Sequence, residues 1–200
     1  EGNIGSGKTS LAEKLAKDYQ ANLILESFAD NPFLPKFYKN PKKHAFSLEL
    51  FFLAERYYQM KQKEQELFSP ITISDYTFIK SKLFAQHNLE DTDRILFDRL
   101  FDIMTPSILQ PNLLIYLYAS IERLQKNIKK RGREFEQNIS DKYLQKIQSH
   151  YLDYLHKQQK CPVVIIDVTN IDFLQSKDSY SQIVSALEIN YKDPITYLNL

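Results

Sequence analysis

The sequence predicts an α/β fold in which helices cover a parallel sheet carrying a phosphate-binding loop. Three observations carry that expectation. The run Gly2-Asn3-Ile4-Gly5-Ser6-Gly7-Lys8-Thr9 meets G-x-x-x-x-G-K-[ST] at every fixed position. Short apolar runs alternate along the chain with longer helical patterns, the signature of a parallel sheet with crossover helices. Two of those runs end in an acid, at Glu26 and Asp75, where open α/β sheets place their ligands.

The glycine-rich run comes first. Three of the chain's four glycines fall within its first seven residues. Glycine suits a backbone that must turn tightly and approach a ligand without a Cβ. Backbone N–H groups from Gly5 to Thr9 would converge on phosphate oxygens, aided by the positive end of the helix opening at Gly7. Lys8 would reach the β- and γ-phosphates, and the Thr9 hydroxyl would sit on Mg²⁺. A nucleoside triphosphate is the expected ligand. Such a loop normally follows a buried strand. That strand is expected upstream of Glu1, and without it the sheet would carry an open seam.

Strands are then expected at 22–26, 71–75, 113–119 and 162–168. Helices are expected at 6–19, 45–67, 76–87, 91–105, 121–130, 141–157 and 178–187. Together they make one domain over residues 1–190. The tail, 191–200, carries Pro194 and no clear periodicity, so it is expected to be loose or to dock on a neighbour.

Composition narrows the function classes. Apolar residues make up 43% and the net charge is +1, which fits a globular domain with no obligatory nucleic-acid partner. No run approaches the ~20 apolar residues that span a bilayer. The single cysteine, Cys161, excludes a disulfide framework and a cysteine-rich zinc site, and points to a reducing cytoplasm. The four histidines show no metal-ligand spacing.

A basic cluster, Lys129-Lys130-Arg131-Gly132-Arg133, follows the helix at 121–130 and holds the fourth glycine. Arginines on a lid can cover a transferring phosphoryl group and neutralise its charge. The competing reading is a solvated basic run at a helix C-terminus, where cations are favoured in any case.

Several segments resemble the deoxyribonucleoside kinases, closest to the bacterial purine branch of deoxyguanosine and deoxyadenosine kinases. They are the stretch from Asn31 to Pro41 with Phe33-Leu34 and Phe37-Tyr38, the lid run Arg131-Gly132-Arg133-Glu134-Phe135-Glu136-Gln137, and the loop Asp167-Val168-Thr169-Asn170-Ile171-Asp172-Phe173. The resemblance implies a P-loop kinase fold with a five-stranded parallel sheet, its first strand lying before Glu1, and an arginine-bearing lid. It also implies ATP as donor, Mg²⁺, and a homodimer.

Residue by residue, Glu26 matches the acid that takes the proton from the attacking 5′-hydroxyl. Tyr38 and Glu136 match the pair that holds the 3′-hydroxyl. Arg131 and Arg133 match the lid arginines on the ATP phosphates, and Asp172 and Phe173 fall in the adenine-contacting loop. Arg56, seven residues after Glu49 and so on the same helical face, matches a substrate-pocket arginine. Phe84 matches an aromatic stacked on the base.

Two positions depart from the family pattern. Where a Glu-Arg-Ser triplet is usual, the chain has Ser74-Asp75-Tyr76. Asp75 can serve as the magnesium-side acid, but Tyr76 cannot replace an arginine, so Lys80 or Lys82 is expected to supply the cation. Glu49 stands where a glutamine commonly reads the base. A carboxylate only accepts hydrogen bonds, which suits guanine's adjacent N1–H and 2-amino donors better than adenine's edge. Deoxyguanosine is therefore favoured over deoxyadenosine, unless Glu49 merely pairs with Arg56 or Lys80. The rival readings are a nucleoside monophosphate kinase of the thymidylate kinase type and a nucleotide-binding switch without small-molecule turnover.

Overall fold

The computed structural model describes residues 1–27, 31–65 and 70–200. Helix α1 (Lys8–Asp18) leads to strand β1 (Asn22–Ile24). A short helix α2 (Leu34–Lys39) and the long α3 (Pro41–Gln65) precede β2 (Thr72–Ser74). Then follow α4 (Ile79–Asn88), α5 (Asp91–Met104), β3 (Leu114–Tyr118), α6 (Ile121–Arg131), α7 (Asp141–Lys157), β4 (Val163–Asp167), α8 (Lys177–Leu187) and β5 (Ile195–Asn199). Each expected element is present within a few residues. The end of α3 expected at Leu67 lies outside the described residues.

All named strand pairs are parallel, as βαβ crossovers require. The five strands divide between a β1-β2 pair and a β3-β4-β5 sheet. Between them lies a cavity of about 820 Å³, lined by residues that include Ile73, Leu114 and Leu117. Glu1 and Gly2 run beside β3, with Leu117 N–H donating to Glu1 O at 2.9 Å.

β3 and β4 are buried on both faces, so their side chains sort by alternation. Leu117, Val164 and Ile166 join α1, α6 and α8 in one core; Leu114, Tyr116, Val163 and Ile165 join α7 in another. A third core binds α2, α3, α4 and α5 through Phe37, Leu53, Phe97 and Phe101. Ser120, Ser140 and Ser176 cap α6, α7 and α8 by accepting N–H bonds from the third residue on. Each such cap is worth about 1 kcal/mol.

The tail corrects the sequence expectation. Residues 195–199 form β5 in register with β4, Ile195 opposite Val163 and Asn199 opposite Asp167. Pro194 does not prevent this, because it needs only to accept: Val163 N–H donates to Pro194 O at 3.0 Å. The pairing partner is remote in sequence, so local periodicity carries little of the signal.

Candidate active site

The phosphate loop is held from beneath. Asn3 Nδ2 donates to Leu144 O of α7 at 2.8 Å, and Asn127 Nδ2 of α6 donates to Gly5 O at 2.8 Å. Gly7 caps α1 at φ 94°, and a Cβ there would lie 2.9 Å from Phe173 Cζ. Only glycine combines that left-handed backbone with so close an approach. Phe173 is itself buried in the α1–α6–α8 core. Its ring therefore braces the loop from the core side. Asp172 shapes the same turn, its Oδ1 accepting from the N–H groups of Leu174 and Gln175. Lys8 Nζ donates to Asn3 O at 2.8 Å, and burial, then the charge of Lys80, draws its pKa down to about 8.

Beyond the loop, three groups converge. Thr9 Oγ1 donates to Asp75 Oδ2 at 2.5 Å, and Glu26 N–H donates to Asp75 Oδ1 at 2.8 Å. Asp75 follows β2 directly, whereas Glu26 lies two residues past the end of β1. Arg56 of α3 grips Glu26 Oε1 through Nε at 2.9 Å and Nη2 at 2.6 Å, while its Nη1 donates to Ser81 Oγ at 2.7 Å. Lys80 Nζ donates to Glu26 Oε2 at 2.5 Å. Burial raises the Glu26 pKa, but Lys80 and Arg56 outweigh it and hold the carboxyl well below the usual carboxylate range.

The structure also separates the two lysines. Lys80 is buried beside Glu26, while Lys82 meets Asp98 and Asp102 at the surface. Tyr76 has turned away, its hydroxyl donating to Gln59 Oε1 at 2.6 Å.

Glu49 is 1% exposed and pairs with neither Arg56 nor Lys80. Its Oε1 accepts from Asn88 Nδ2 at 2.6 Å, and its Oε2 has no hydrogen-bond partner among the described residues. Burial pushes its pKa up to about 7. Phe84 lies one turn along α4 from Lys80, whose Nζ is 5.7 Å from the Phe84 ring centroid. Tyr38 of α2 stacks on Phe135 of the lid at 6.0 Å. Neighbouring Glu136 accepts from both lid arginines, Arg131 Nη2 and Arg133 Nη1. Gly132 makes that fold-back possible: it ends α6 at φ 73° and leaves open space around its Cα. Tyr38 and Glu136 are thus brought together, and burial first, with Glu136 among the charges, raises the Tyr38 pKa.

Asn88, Ser81 and Gln59 belong to this site and escaped the sequence reading. Lys80, Phe84 and Asn88 recur every four residues along α4, so a mixed polar and aromatic stripe was the available signal. Gln59 holds the strand end, donating to Leu25 O at 2.8 Å.

Comparison with known proteins agrees with this architecture. The family profile described as deoxynucleoside kinase matches residues 1–191. A deoxyguanosine kinase of Bacillus subtilis (strain 168) is 34% identical over 192 residues, covering 92% of each chain. A deoxyadenosine/deoxycytidine kinase of the same organism is 30% identical, over 93% of this chain and 88% of the relative. The solved structure of deoxyadenosine kinase from M. mycoides with bound dATP superposes with a TM-score of 0.81 at 23% identity, over 94% of this chain and 96% of the other. The site and these relatives lead to one assignment: the chain belongs to the deoxynucleoside kinase family and is an ATP-dependent kinase.

Proposed function

We propose that this kinase moves the ATP γ-phosphoryl to the 5′-hydroxyl of a purine deoxyribonucleoside, with deoxyguanosine favoured over deoxyadenosine. The observation that carries the proposal is Asp75, which joins Thr9 of the phosphate loop to Glu26 through its two oxygens. That junction supports Glu26 as the general base, since such a group must stand within reach of the hydroxyl it deprotonates.

The 5′-hydroxyl gives its proton to Glu26 as its oxygen bonds to the γ-phosphorus. The bond from that phosphorus to the β–γ bridging oxygen breaks, and ADP leaves with the electron pair. Lys8, Arg131 and Arg133 neutralise the charge on the phosphates. Gly2 to Thr9 form the cradle, and Tyr38 and Glu136 hold the 3′-hydroxyl. Thr9 and Asp75 offer hard oxygens 2.5 Å apart, a donor set that fits Mg²⁺. When bound, that ion screens the β- and γ-phosphates.

Glu49 supports guanine. With Asn88 on Oε1 and Oε2 free, the ionised carboxylate retains lone pairs for two adjacent donors. Phe84 supplies the ring against which the base lies, and Arg56 fixes the Glu26 side of the pocket. The reading extends to a homodimer in a reducing cytoplasm; exposed Ile95 and Ile103 on α5 support a second copy, and no described helix is long and apolar enough to cross a membrane.

The test is ADP production from ATP–Mg²⁺ with deoxyguanosine, deoxyadenosine, deoxycytidine, thymidine and their monophosphates. Turnover that requires a nucleoside, led by deoxyguanosine, is the expected result. Turnover with monophosphates alone would overturn it.

A further inference from the structure

Glu26 is poorly prepared to be a base as it stands. Each carboxylate oxygen has two lone-pair sites. Arg56 occupies Oε1 with two N–H bonds, and Lys80 occupies Oε2 with one. A substrate hydroxyl can therefore reach only Oε2, directly beside the Lys80 ammonium.

The two cations differ in how they are held. Arg56 is fixed by its fork on Oε1, by Ser81 Oγ and by the Phe52 ring 4.8 Å from its Cζ. Lys80 has a single hydrogen-bond partner among the described residues, on a flexible four-carbon stem, and is 8% exposed. Glu26, which Lys80 holds, is in turn joined through Asp75 to Thr9 of the phosphate loop. The ammonium thus sits on a carboxylate tied to the phosphate cradle, in a chain whose Tyr76 supplies no positive charge there.

We propose, resting on the phosphoryl-transfer reading above, that Lys80 is a mobile catalytic cation that leaves Glu26 Oε2 for the transferring phosphoryl group when the 5′-hydroxyl arrives. The exchange has two effects at once. It frees Oε2 to accept the hydroxyl proton. It also places a positive charge where the γ-phosphoryl oxygens carry their transition-state charge. Proton and bond accounting are unchanged from the transfer written above, since Lys80 stays an ammonium throughout.

The experiment compares Lys80→Gln and Lys80→Arg with the parent. Gln keeps a donor for Glu26 Oε2 and removes only the charge; Arg restores the charge. With ATP–Mg²⁺ and the best deoxynucleoside, Lys80→Gln is expected to lower kcat by roughly 10²-fold, the loss typical of a transition-state donor. Its deoxynucleoside KM should move by less than about threefold, and Lys80→Arg should recover at least about tenfold of the kcat. A kcat within about threefold of the parent, or a loss confined to KM, would overturn the proposal. A second readout needs no turnover: binding of ADP–Mg²⁺ with aluminium fluoride, which stands in for the transferring phosphoryl, in the presence of saturating deoxynucleoside. Lys80→Gln should weaken the fluoride complex by about tenfold or more and leave ADP binding unchanged. Equal affinities in parent and variant would remove Lys80 from the phosphoryl site. Were no nucleoside phosphorylated by the parent, the transfer reading would fail while the fluoride comparison still decided Lys80.

Discussion

Glu26 and Asp75 are joined through the backbone: Glu26 N–H donates to Asp75 Oδ1 at 2.8 Å, while the other Asp75 oxygen holds the Thr9 hydroxyl. One carboxylate thereby sets the distance between phosphate loop and base. Asp75→Asn replaces one acceptor oxygen with an NH₂ group, which cannot accept from both donors. We expect kcat to fall by about 10²-fold and the Mg²⁺ concentration for half-maximal rate to rise severalfold. Steady-state rates over a Mg²⁺ titration measure both; an unchanged Mg²⁺ response would separate Asp75 from the metal.

Glu26→Gln removes the proposed base and strands two buried cations. The expected loss in kcat is roughly 10²- to 10⁴-fold, with deoxynucleoside binding retained. Stability should fall as well, because breaking a buried pair typically costs about 3–5 kcal/mol. The depressed pKa of Glu26 fixes the pH sense. Its contribution is complete above the ordinary carboxylate value of 4.5 and is lost only as pH falls below that. Parent and variant should therefore converge in stability in acid, as denaturant titrations at pH 3 and pH 7 would reveal.

Glu49 works in the opposite sense. Its pKa is raised to about 7, so between pH 4.5 and about 7 the folded protein holds a proton that the unfolded chain releases. Stability attributable to Glu49 should decline with rising pH over that interval, by about 1.4 kcal/mol per unit, and Glu49→Gln should abolish the slope. Specificity should move with it. The neutral carboxyl offers one donor and one acceptor, which suits adenine, and the carboxylate suits guanine. The ratio of kcat/KM for deoxyguanosine over deoxyadenosine is expected to rise about tenfold from pH 6 to pH 8, and to be flat in Glu49→Gln. Charged and titratable neighbours Glu26, Arg56, Lys80, Tyr38 and Tyr143 remain in the variant, so a ratio that still changed with pH would assign the effect to them or to His87.

The phosphate loop, Glu26 and Asp75 were legible because each rests on local chain geometry: a glycine spacing, or an acid closing an apolar run. The helices were legible for the same reason, since α7 needs only its own periodicity and covers the expected 141–157. Lys80 was harder to separate from Lys82. Residues two apart lie on different helix faces, and a charge at either position does not say which face the core will cover. Packing decides: Ser81 and Ala85 of α4 are fully buried, and Lys80 goes inward with them. Asn88 and β5 were missed because each acquires meaning only from a distant partner, Glu49 and β4. The packing of Phe173 behind Gly7 likewise depends on a distant partner and leaves no local signal.

The lid supplies a last test, because Glu136 holds Arg131 and Arg133 at the same time and is only 6% exposed. If Glu136 also receives the 3′-hydroxyl beside Tyr38, the sugar and the lid arginines compete for one carboxylate. A bound deoxynucleoside would then loosen the arginines and free them for ATP phosphates. Glu136→Gln keeps the shape but loses the charge-assisted bonds, so the arginines should be released without the sugar. We expect the deoxynucleoside KM to rise about tenfold. The same variant should treat a 2′,3′-dideoxynucleoside almost as the parent does, since that substrate has no 3′-hydroxyl to lose. Equal losses with both substrates would show that Glu136 serves the lid alone.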